Sequence, residues 1–291
     1  MLRREFAKIL GAAATAAIVA PAVAQPGPRG RVLFVVSSAQ ILDLQDGRTY
    51  RTGFFLNEVA IPAQAMRQAG FELVFANPQG NAATWDERSA APGFFGGSAE
   101  RLEDAKRFVQ GLEGLRQPRK LAEIRAEGIG AYAAVFVPGG HAAMQDLPTD
   151  ADLGAVLRAF HEARKITAAI CHGPAALLST LPDPAAFVAA MAAGDVNAAQ
   201  RVAAGWIYAG YHMTAFTTSE ERPVEARMLQ GRVRYYPTEA LAQAGARVIT
   251  GPDRRSLVVH DRTLITGQQP VSDAEFTEVV MRALQQRQAS N

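Results

Sequence analysis

The feature that most constrains the fold is an alternation of apolar, β-branched runs with stretches of helical periodicity. The run RVLFVVSS (31–38) is followed by GFFLNEVAIPAQAMRQAG (53–70), whose apolar residues recur at helical spacing and which ends at Gly70. FELVFANP (71–78) then has the composition of a second strand. Unbroken apolar runs are typical of strands buried on both faces, so this alternation predicts a mostly parallel sheet with helices on both faces.

The alternation continues along the chain. AAVFVPGG (133–140) and ITAAICHG (166–173) have the character of strands, and DLGAVLRAFHEARK (152–165) between them has that of a helix. Downstream we predict a helix at PAALLSTL, a strand at MTAFTTS (213–219), a helix around PTEALAQAG, a strand at ARVIT, a hairpin at SLVVHDRTLITG (256–267) and a last helix from Asp273.

No linker or fixed-period repeat divides the chain, so we predict one α/β domain over residues 29–291. Two stretches interrupt the alternation and are interpreted as insertions. The first lies near 84–120 and begins with the aromatic segment TWDERSAAPGFFGGS (84–98), which could line a pocket. The second is the alanine-rich 182–205, which has the pattern of an added helical pair.

The first 24 residues have the order of an export signal. Arg3 and Arg4 precede Phe6 and Lys8, an apolar run follows, and small residues end it at Ala24. The apolar run is shorter than the roughly 20 residues that span a bilayer. The pattern resembles a twin-arginine signal, so we expect cleavage after Ala24, periplasmic localisation and no membrane anchor in the mature protein.

The charge of the mature chain excludes one large class of function. Removal of residues 1–24 lowers the 30 basic residues by three and the 28 acidic residues by one, which leaves a neutral chain with histidines uncharged. Binding to nucleic acid depends on neutralising phosphates, and no run of basic residues offers this, so no nucleic-acid partner is expected.

The chain has one cysteine, Cys171, where a predicted strand meets His172, Gly173 and Pro174. One cysteine cannot close an intramolecular disulfide. A tight turn from strand to helix is the local structure of a nucleophile elbow, and the start of a helix favours thiolate. This position favours a nucleophile over a buried structural cysteine, and we expect a half-exposed thiol with a lowered pKa.

Two further features suit a nucleophile. Gly139 and Gly140 end another predicted strand, so the amides of Gly140 and His172 could form an oxyanion hole. Glu58 lies on an otherwise apolar helix face; burial there would raise its pKa and let it exchange protons with the thiol.

The order and spacing of six motifs resemble one known family. They are TGFFLNEVAIP, WDERS, VPGGHAAMQDLP, AAICHGPAAL, TAFTTSEE and LITGQQP. Together they resemble the ThiJ/PfpI superfamily, which has the class I glutamine amidotransferase-like fold, and within it the branch of heat-shock chaperones with glyoxalase III activity. The resemblance implies a flavodoxin-like three-layer α/β sandwich in a single domain.

The resemblance also implies the site and its chemistry. It assigns the nucleophile to Cys171, its partner to His172, the carboxyl beside the thiol to Glu58 and the acid of the triad to Glu221, with Glu220 as the alternative. It implies a glutathione-independent glyoxalase that converts 2-oxoaldehydes such as methylglyoxal to hydroxy acids through a Cys171 hemithioacetal. It implies no cofactor, and it implies a homodimer.

Other functions remain open at this stage. The same elbow could serve a cysteine amidase or peptidase, and a non-enzymatic holdase chaperone or thiol redox sensor is also compatible, with segment 84–98 exposing apolar surface. The five histidines show no i, i+4 pairing and the chain has no HExxH motif, so no metal is expected. No phosphate-binding glycine motif follows a strand, so no nucleotide cofactor is expected either.

Overall fold

The computed structural model describes residues 29–289, so the predicted signal peptide, residues 1–24, lies outside the described residues. The strands within them are β1 (Arg31–Val35), β2 (Ile41–Asp43), β3 (Thr49–Arg51), β4 (Glu72–Asn77), β5 (Arg119–Lys120), β6 (Tyr132–Val137), β7 (Ile166–Ile170), β8 (His212–Met213), β9 (Arg247–Val248), β10 (Val258–Asp261) and β11 (Leu264–Gly267). Seven of these form the main sheet in the order β10-β11-β7-β6-β1-β4-β5, parallel throughout except for the edge strand β10.

Helices cover both faces of this sheet. They are α1 (Leu56–Gln68), α2 (Ala99–Gln110), α3 (Glu113–Arg116), α4 (Leu121–Glu127), α5 (Ala143–Asp146), α6 (Ala151–Glu162), α7 (Pro184–Ala193), α8 (Val196–Val202), α9 (Thr218–Val224), α10 (Pro237–Gln243) and α11 (Asp273–Ala289). Shorter 3₁₀ turns lie at Glu87–Ser89, Pro92–Phe95, Leu147–Thr149, Gly173–Thr180 and Pro270–Ser272, and a π-helical turn at Glu225–Leu229. None of the described helices combines the length and apolar character that crossing a lipid bilayer requires.

Each central strand contributes to two hydrophobic cores. In β1, Leu33 and Val35 belong to the core on one face, whereas Val32 and Phe34 belong to the core on the other. Successive side chains of a strand point to opposite faces, so an unbroken apolar run suits a strand that is covered twice. The predicted three-layer α/β sandwich is therefore confirmed.

Several predicted elements also hold. Helix α1 ends before Gly70, whose φ of +88° is the left-handed conformation of a glycine after a helix. The predicted hairpin is the antiparallel pair β10 and β11. The stretch 182–205 forms α7 and α8, but it is more than a surface addition, because Phe187 is fully buried in the core.

The predicted strand at 213–219 is wrong. Only His212–Met213 forms a strand, β8, and it pairs with β9 in a small separate sheet rather than with the main one. The Thr217 hydroxyl accepts a hydrogen bond from the Glu220 amide, so the segment turns into helix α9 at Thr218. The predicted helix after Cys171 is present, as the 3₁₀ helix Gly173–Thr180.

Candidate active site

Cys171 lies on a sharp turn between β7 and the 3₁₀ turn that begins at Gly173. Its φ of +62° is unusual for a residue with a side chain. The Cys171 amide donates to the Gly267 carbonyl over 2.9 Å, and the Cys171 carbonyl accepts from the Phe216 amide over 2.8 Å. A Cβ at Gly173 would lie 2.3 Å from the Val137 carbonyl oxygen, so only glycine fits there. The turn has the backbone of a nucleophile elbow.

His172 connects the sulfur to a carboxylate. Its Nδ1 lies 3.2 Å from Cys171 Sγ, and its Nε2 lies 2.6 Å from Glu221 Oε2. With Nε2–H donating to the carboxylate, Nδ1 keeps a lone pair facing the thiol. In this arrangement, a base that is oriented by a carboxylate can take the proton of a nucleophile.

The structure places Glu221 beside His172, and Glu220 elsewhere. Glu220 accepts hydrogen bonds from the Arg254 amide and from the Gln268 side chain, at 2.8 and 3.1 Å. Glu221 is fully buried in the first turn of α9. Burial opposes its ionisation, but His141 and His172 outweigh burial and hold the pKa of Glu221 well below its usual range.

Glu58 approaches the sulfur from the other side. It is fully buried in the first turn of α1, its Oε2 accepts from the Gly139 amide over 2.7 Å, and its Oε1 has no hydrogen-bond partner among residues 29–289. A Cβ at Gly139 would lie 2.6 Å from both Glu58 Oε2 and Cys171 Cβ, which shows how closely the two side chains meet. Burial raises the pKa of Glu58 to about 8, so the carboxyl keeps its proton at neutral pH.

The expectation of a half-exposed, acidic thiol is wrong. Cys171 is 2% exposed, and burial together with the neighbouring Glu58 raises the pKa of its thiol. The short 3₁₀ turn after it does not offset this loss of solvation. Because Glu58 is itself protonated at neutral pH, its repulsion of a thiolate is absent there, and ionisation of the sulfur depends on proton transfer to His172.

The predicted oxyanion donors both lie next to the sulfur. The Gly140 amide hydrogen-bonds toward Cys171 and favours its anionic form. The His172 amide nitrogen is 2.9 Å from the Cβ position of Gly139, so a side chain at Gly139 would cover it. A Cβ at Gly140 would lie 2.2 Å from the Gly53 carbonyl oxygen, and its φ is +97°, so glycine is required there too. Their role as an oxyanion hole stays a prediction.

Sequence reasoning missed His141. Its Nε2 lies 2.8 Å from Glu221 Oε1, so one carboxylate binds two imidazoles. The available signal was its position directly after Gly139 and Gly140, since a residue that follows two site glycines is carried into the site by them. The ring of His141 lies 4.2 Å from that of His172, centroid to centroid.

The donor atoms of His141, His172 and Glu221 lie within 4.8 Å of one another, which by spacing alone could suit a cation. However, each ring nitrogen is 2.6 to 2.8 Å from a carboxylate oxygen. That is the distance of a charge-assisted N–H···O bond, and it is shorter than the roughly 3.3 Å between two ligand atoms of a tetrahedral zinc site with bonds of about 2 Å. We therefore describe the three groups as a hydrogen-bonded set.

The aromatic segment 84–98 does not line the site; it contacts the start of the helix that carries Glu58. Ser89 Oγ accepts from the Leu56 amide over 2.9 Å and thus caps the helix turn that carries Glu58. Trp85 borders a separate cavity of about 440 Å³. The cavity is lined by Phe54, Ala83, Thr84, Trp85, Glu87, Val109, Gln110, Leu115 and Arg116, which include none of the predicted site residues.

The chain is similar to known proteins over most of its length. Residues 51–182 match the sequence pattern of the DJ-1/PfpI family, a segment that contains Glu58, Gly140, Cys171 and His172 but ends before Glu221. Residues 51–182 are thus a segment of the DJ-1/PfpI type. The predicted resemblance to the ThiJ/PfpI superfamily, and to its glyoxalase III and chaperone branch, is thereby confirmed.

Individual family members match most of the chain. The protein/nucleic acid deglycase HchA of Staphylococcus aureus (strain bovine RF122 / ET3-1) is 27% identical over 259 residues, which cover 87% of this chain and 80% of the relative. Two crystal structures show the same fold. Rapid Encystment Protein 24 KDa of Francisella tularensis has a TM-score of 0.68 at 21% identity, covering 88% of this chain and 99% of its own. Glyoxalase III of Candida albicans has a TM-score of 0.62 at 22% identity, covering 88% and 98%.

Proposed function

We propose that this protein is a cofactor-independent glyoxalase that converts small 2-oxoaldehydes, such as methylglyoxal, to hydroxy acids. The observation that carries the proposal is the position of the Cys171 thiol between a protonated carboxyl, Glu58, and a basic imidazole nitrogen, His172 Nδ1. The similarity to HchA deglycases supports an enzyme of the glyoxalase or deglycase type.

The first step is addition of the thiol to the aldehyde. His172 Nδ1 takes the thiol proton, the sulfur bonds to the aldehyde carbon C1, and the carbonyl electron pair moves to oxygen. The Gly140 and His172 amides would stabilise that oxygen until it is protonated, which gives a neutral hemithioacetal.

The second step moves hydrogen from C1 to C2. A base removes the C1 proton, and the electron pair forms the enediol; protonation of C2 then gives a thioester of the 2-hydroxy acid. C1 is oxidised and C2 is reduced, so no external oxidant or reductant takes part. Glu58 suits this transfer once it has given its own proton to the hemithioacetal oxygen: as a carboxylate with a pKa of about 8, it can remove the C1 proton and return it to C2. Water finally breaks the thioester and restores the thiol.

The enclosure of the site favours a free small molecule over an adduct on a macromolecule. Cys171 and His172 are each 2% exposed, and Phe216 packs against the His172 ring at 4.6 Å between centroids. A sugar-like adduct on a protein side chain would have to carry its whole protein to the sulfur. Free 2-oxoaldehydes have no such requirement.

The alternative functions receive less support. A peptidase must bring an extended chain to its nucleophile, whereas Cys171 is 2% exposed. The holdase hypothesis expected segment 84–98 to expose apolar surface, but Phe95 is 5% exposed and Phe94 packs edge-on against Phe55.

The test is production of lactate from methylglyoxal by the purified protein in the absence of glutathione. We expect turnover by the wild type, and its loss in Cys171→Ala. Absence of lactate from every 2-oxoaldehyde offered, with the thiol still titratable, would overturn the proposal; release of amines from small amides would instead support the amidase.

We also propose export to the periplasm and assembly as a homodimer. The export proposal depends on Arg3 and Arg4, and replacing both with lysine should retain the precursor in the cytoplasm, as judged by cell fractionation. A periplasmic fraction unchanged by this substitution would contradict it. Sedimentation of the purified protein tests the dimer.

A further inference from the structure

One carboxylate in the site binds two imidazoles, although a nucleophile and its base require only one. Glu221 Oε2 accepts from His172 and Glu221 Oε1 accepts from His141, at 2.6 and 2.8 Å. The other two groups of the proposed reaction, Cys171 and Glu58, do not contact His141 through any hydrogen bond in the described residues. His141 therefore acts on the sulfur only through Glu221 and His172.

The two imidazoles differ in their surroundings. His172 is 2% exposed and lies between the rings of Phe216 and His141, whereas His141 is 8% exposed and has the edge of Tyr50 at 6.3 Å between centroids. Nδ1 of His172 faces the sulfur, and Nδ1 of His141 makes no hydrogen bond to a described residue. Of the pair, His141 is the member that can exchange a proton with solvent.

The charges around His141 come from four elements. Glu221 on α9 and Asp86 before the Glu87–Ser89 turn favour its cation, while Arg88 in that turn opposes it; Tyr50 is a half-buried neutral phenol whose own pKa is raised. Burial also opposes the cation, but Glu221 outweighs it and raises the pKa of His141. Burial and the charge on His141 lower the pKa of His172, in spite of Glu221.

We propose that His141 is a positioning residue of the site: it carries the positive charge that balances Glu221 and thereby keeps His172 neutral, with Nδ1 free to receive the Cys171 proton. This inference builds on the proposed function.

Proton transfer then couples the two rings. When the S–H bond breaks and His172 Nδ1 gains that proton, two cations would share one carboxylate in a buried site. His141 relieves this by releasing its Nδ1 proton to water, and it regains a proton when His172 returns its own to the product or to the sulfur. The net charge of the set is the same before and after each step.

The test compares His141→Gln with His260→Asn by imidazole proton NMR and by pH profiles of kcat/KM. The amide of glutamine can still donate to Glu221 but carries no charge, whereas His260 is exposed and distant from the site. Without the His141 charge, we expect the His172 titration midpoint and the acid limb of kcat/KM to move up by about one pH unit. We expect kcat to fall about 10-fold, less than the roughly 10² to 10⁴ attributed to direct proton-transfer groups. His260→Asn should change neither.

An unchanged His172 midpoint in a folded His141→Gln protein would overturn the proposal, since a purely structural role lowers activity equally at every pH. If the variant does not fold, the wild type still decides: the two site imidazoles should titrate separately, His141 above and His172 below the ordinary value, and coincident titration would overturn the proposal. The NMR measurement needs no turnover. A wild type that makes no lactate but shows the separated midpoints therefore contradicts only the proposed function.

Discussion

At the scale of single residues, the site is a buried thiol that lies between a group that can give a proton and a group that can take one. Glu58 is a buried acid whose pKa is raised by burial, and His172 is a buried base that donates to an anion, Glu221. The resemblance assigned these residues, with Glu221 preferred to Glu220, and the structure brings them together around the sulfur; their catalytic roles stay predictions. It did not predict the raised pKa of Cys171, because that depends on burial by Phe216 and other residues distant in sequence.

Replacement of Glu58 by glutamine tests the acid. The amide retains the size of the side chain but cannot exchange a proton between C1 and C2. We expect kcat for lactate formation to fall by at least about 10²-fold, while alkylation still titrates one thiol per chain. Activity within threefold of the wild type would remove Glu58 from the mechanism.

The same substitution has a consequence for stability. The pKa of Glu58 is raised from 4.5 to about 8, so between these values the folded protein holds a proton that the unfolded chain has released. The free energy of unfolding that depends on this group is therefore complete below about pH 4.5 and is lost as the pH rises through about 8. We expect Glu58→Gln to flatten the decline of unfolding free energy over this range in urea titrations.

The exposed Glu103→Gln serves as the control for that measurement, since its salt bridge to Lys106 lies at the surface. Its unfolding free energy should follow the wild-type pH dependence. Parallel curves for wild type and Glu58→Gln would show that Glu58 is ionised in the folded protein.

At the scale of elements, the predictable and unpredictable parts have physical causes. Strands β1, β6 and β7 were predictable because burial on both faces demands unbroken apolar runs. The run at 213–219 was misleading, because it too is apolar and buried. Its backbone bonds are made to β9, to Cys171 and to the Thr266 side chain instead of to the backbone of a main-sheet strand. Periodicity cannot distinguish these two kinds of burial.

The capping of α1 by Ser89 gives a prediction at this scale. Phe55, the residue before α1, provides no side-chain cap, and Ser89 Oγ supplies the acceptor for the Leu56 amide. We expect Ser89→Ala to cost about 1 kcal/mol of stability and to lower kcat, because the first turn holds Glu58.

Ser98→Ala is the matched control, since Ser98 caps α2 by accepting from the Arg101 amide over 3.2 Å. It should lose a similar amount of stability with kcat unchanged. Equal effects of the two variants on kcat would show that the cap does not position Glu58.

At the scale of the whole molecule, the two hydrophobic cores have separate roles. Cys171 and Leu56, the first residue of α1, belong to the core on one face of the sheet, and the helical pair α7–α8 contributes Phe187 to the other. We expect Phe187→Ala to lower the free energy of unfolding by about 3–5 kcal/mol, and to leave kcat per folded molecule unchanged, because the cavity opens on the face away from Glu58. A loss of kcat in the folded fraction would show that the cores are coupled through the sheet.

The chain has one cysteine, Cys171, and this residue is only 2% exposed to water. A molecule can bond to the sulfur only after neighbouring side chains move aside. The rate of this reaction is therefore limited by how often, and how widely, those side chains move. Alkylating reagents of increasing bulk would measure this limit. The reagent size at which the alkylation rate falls sharply gives the width of the opening to the sulfur. That width sets the largest aldehyde that can react.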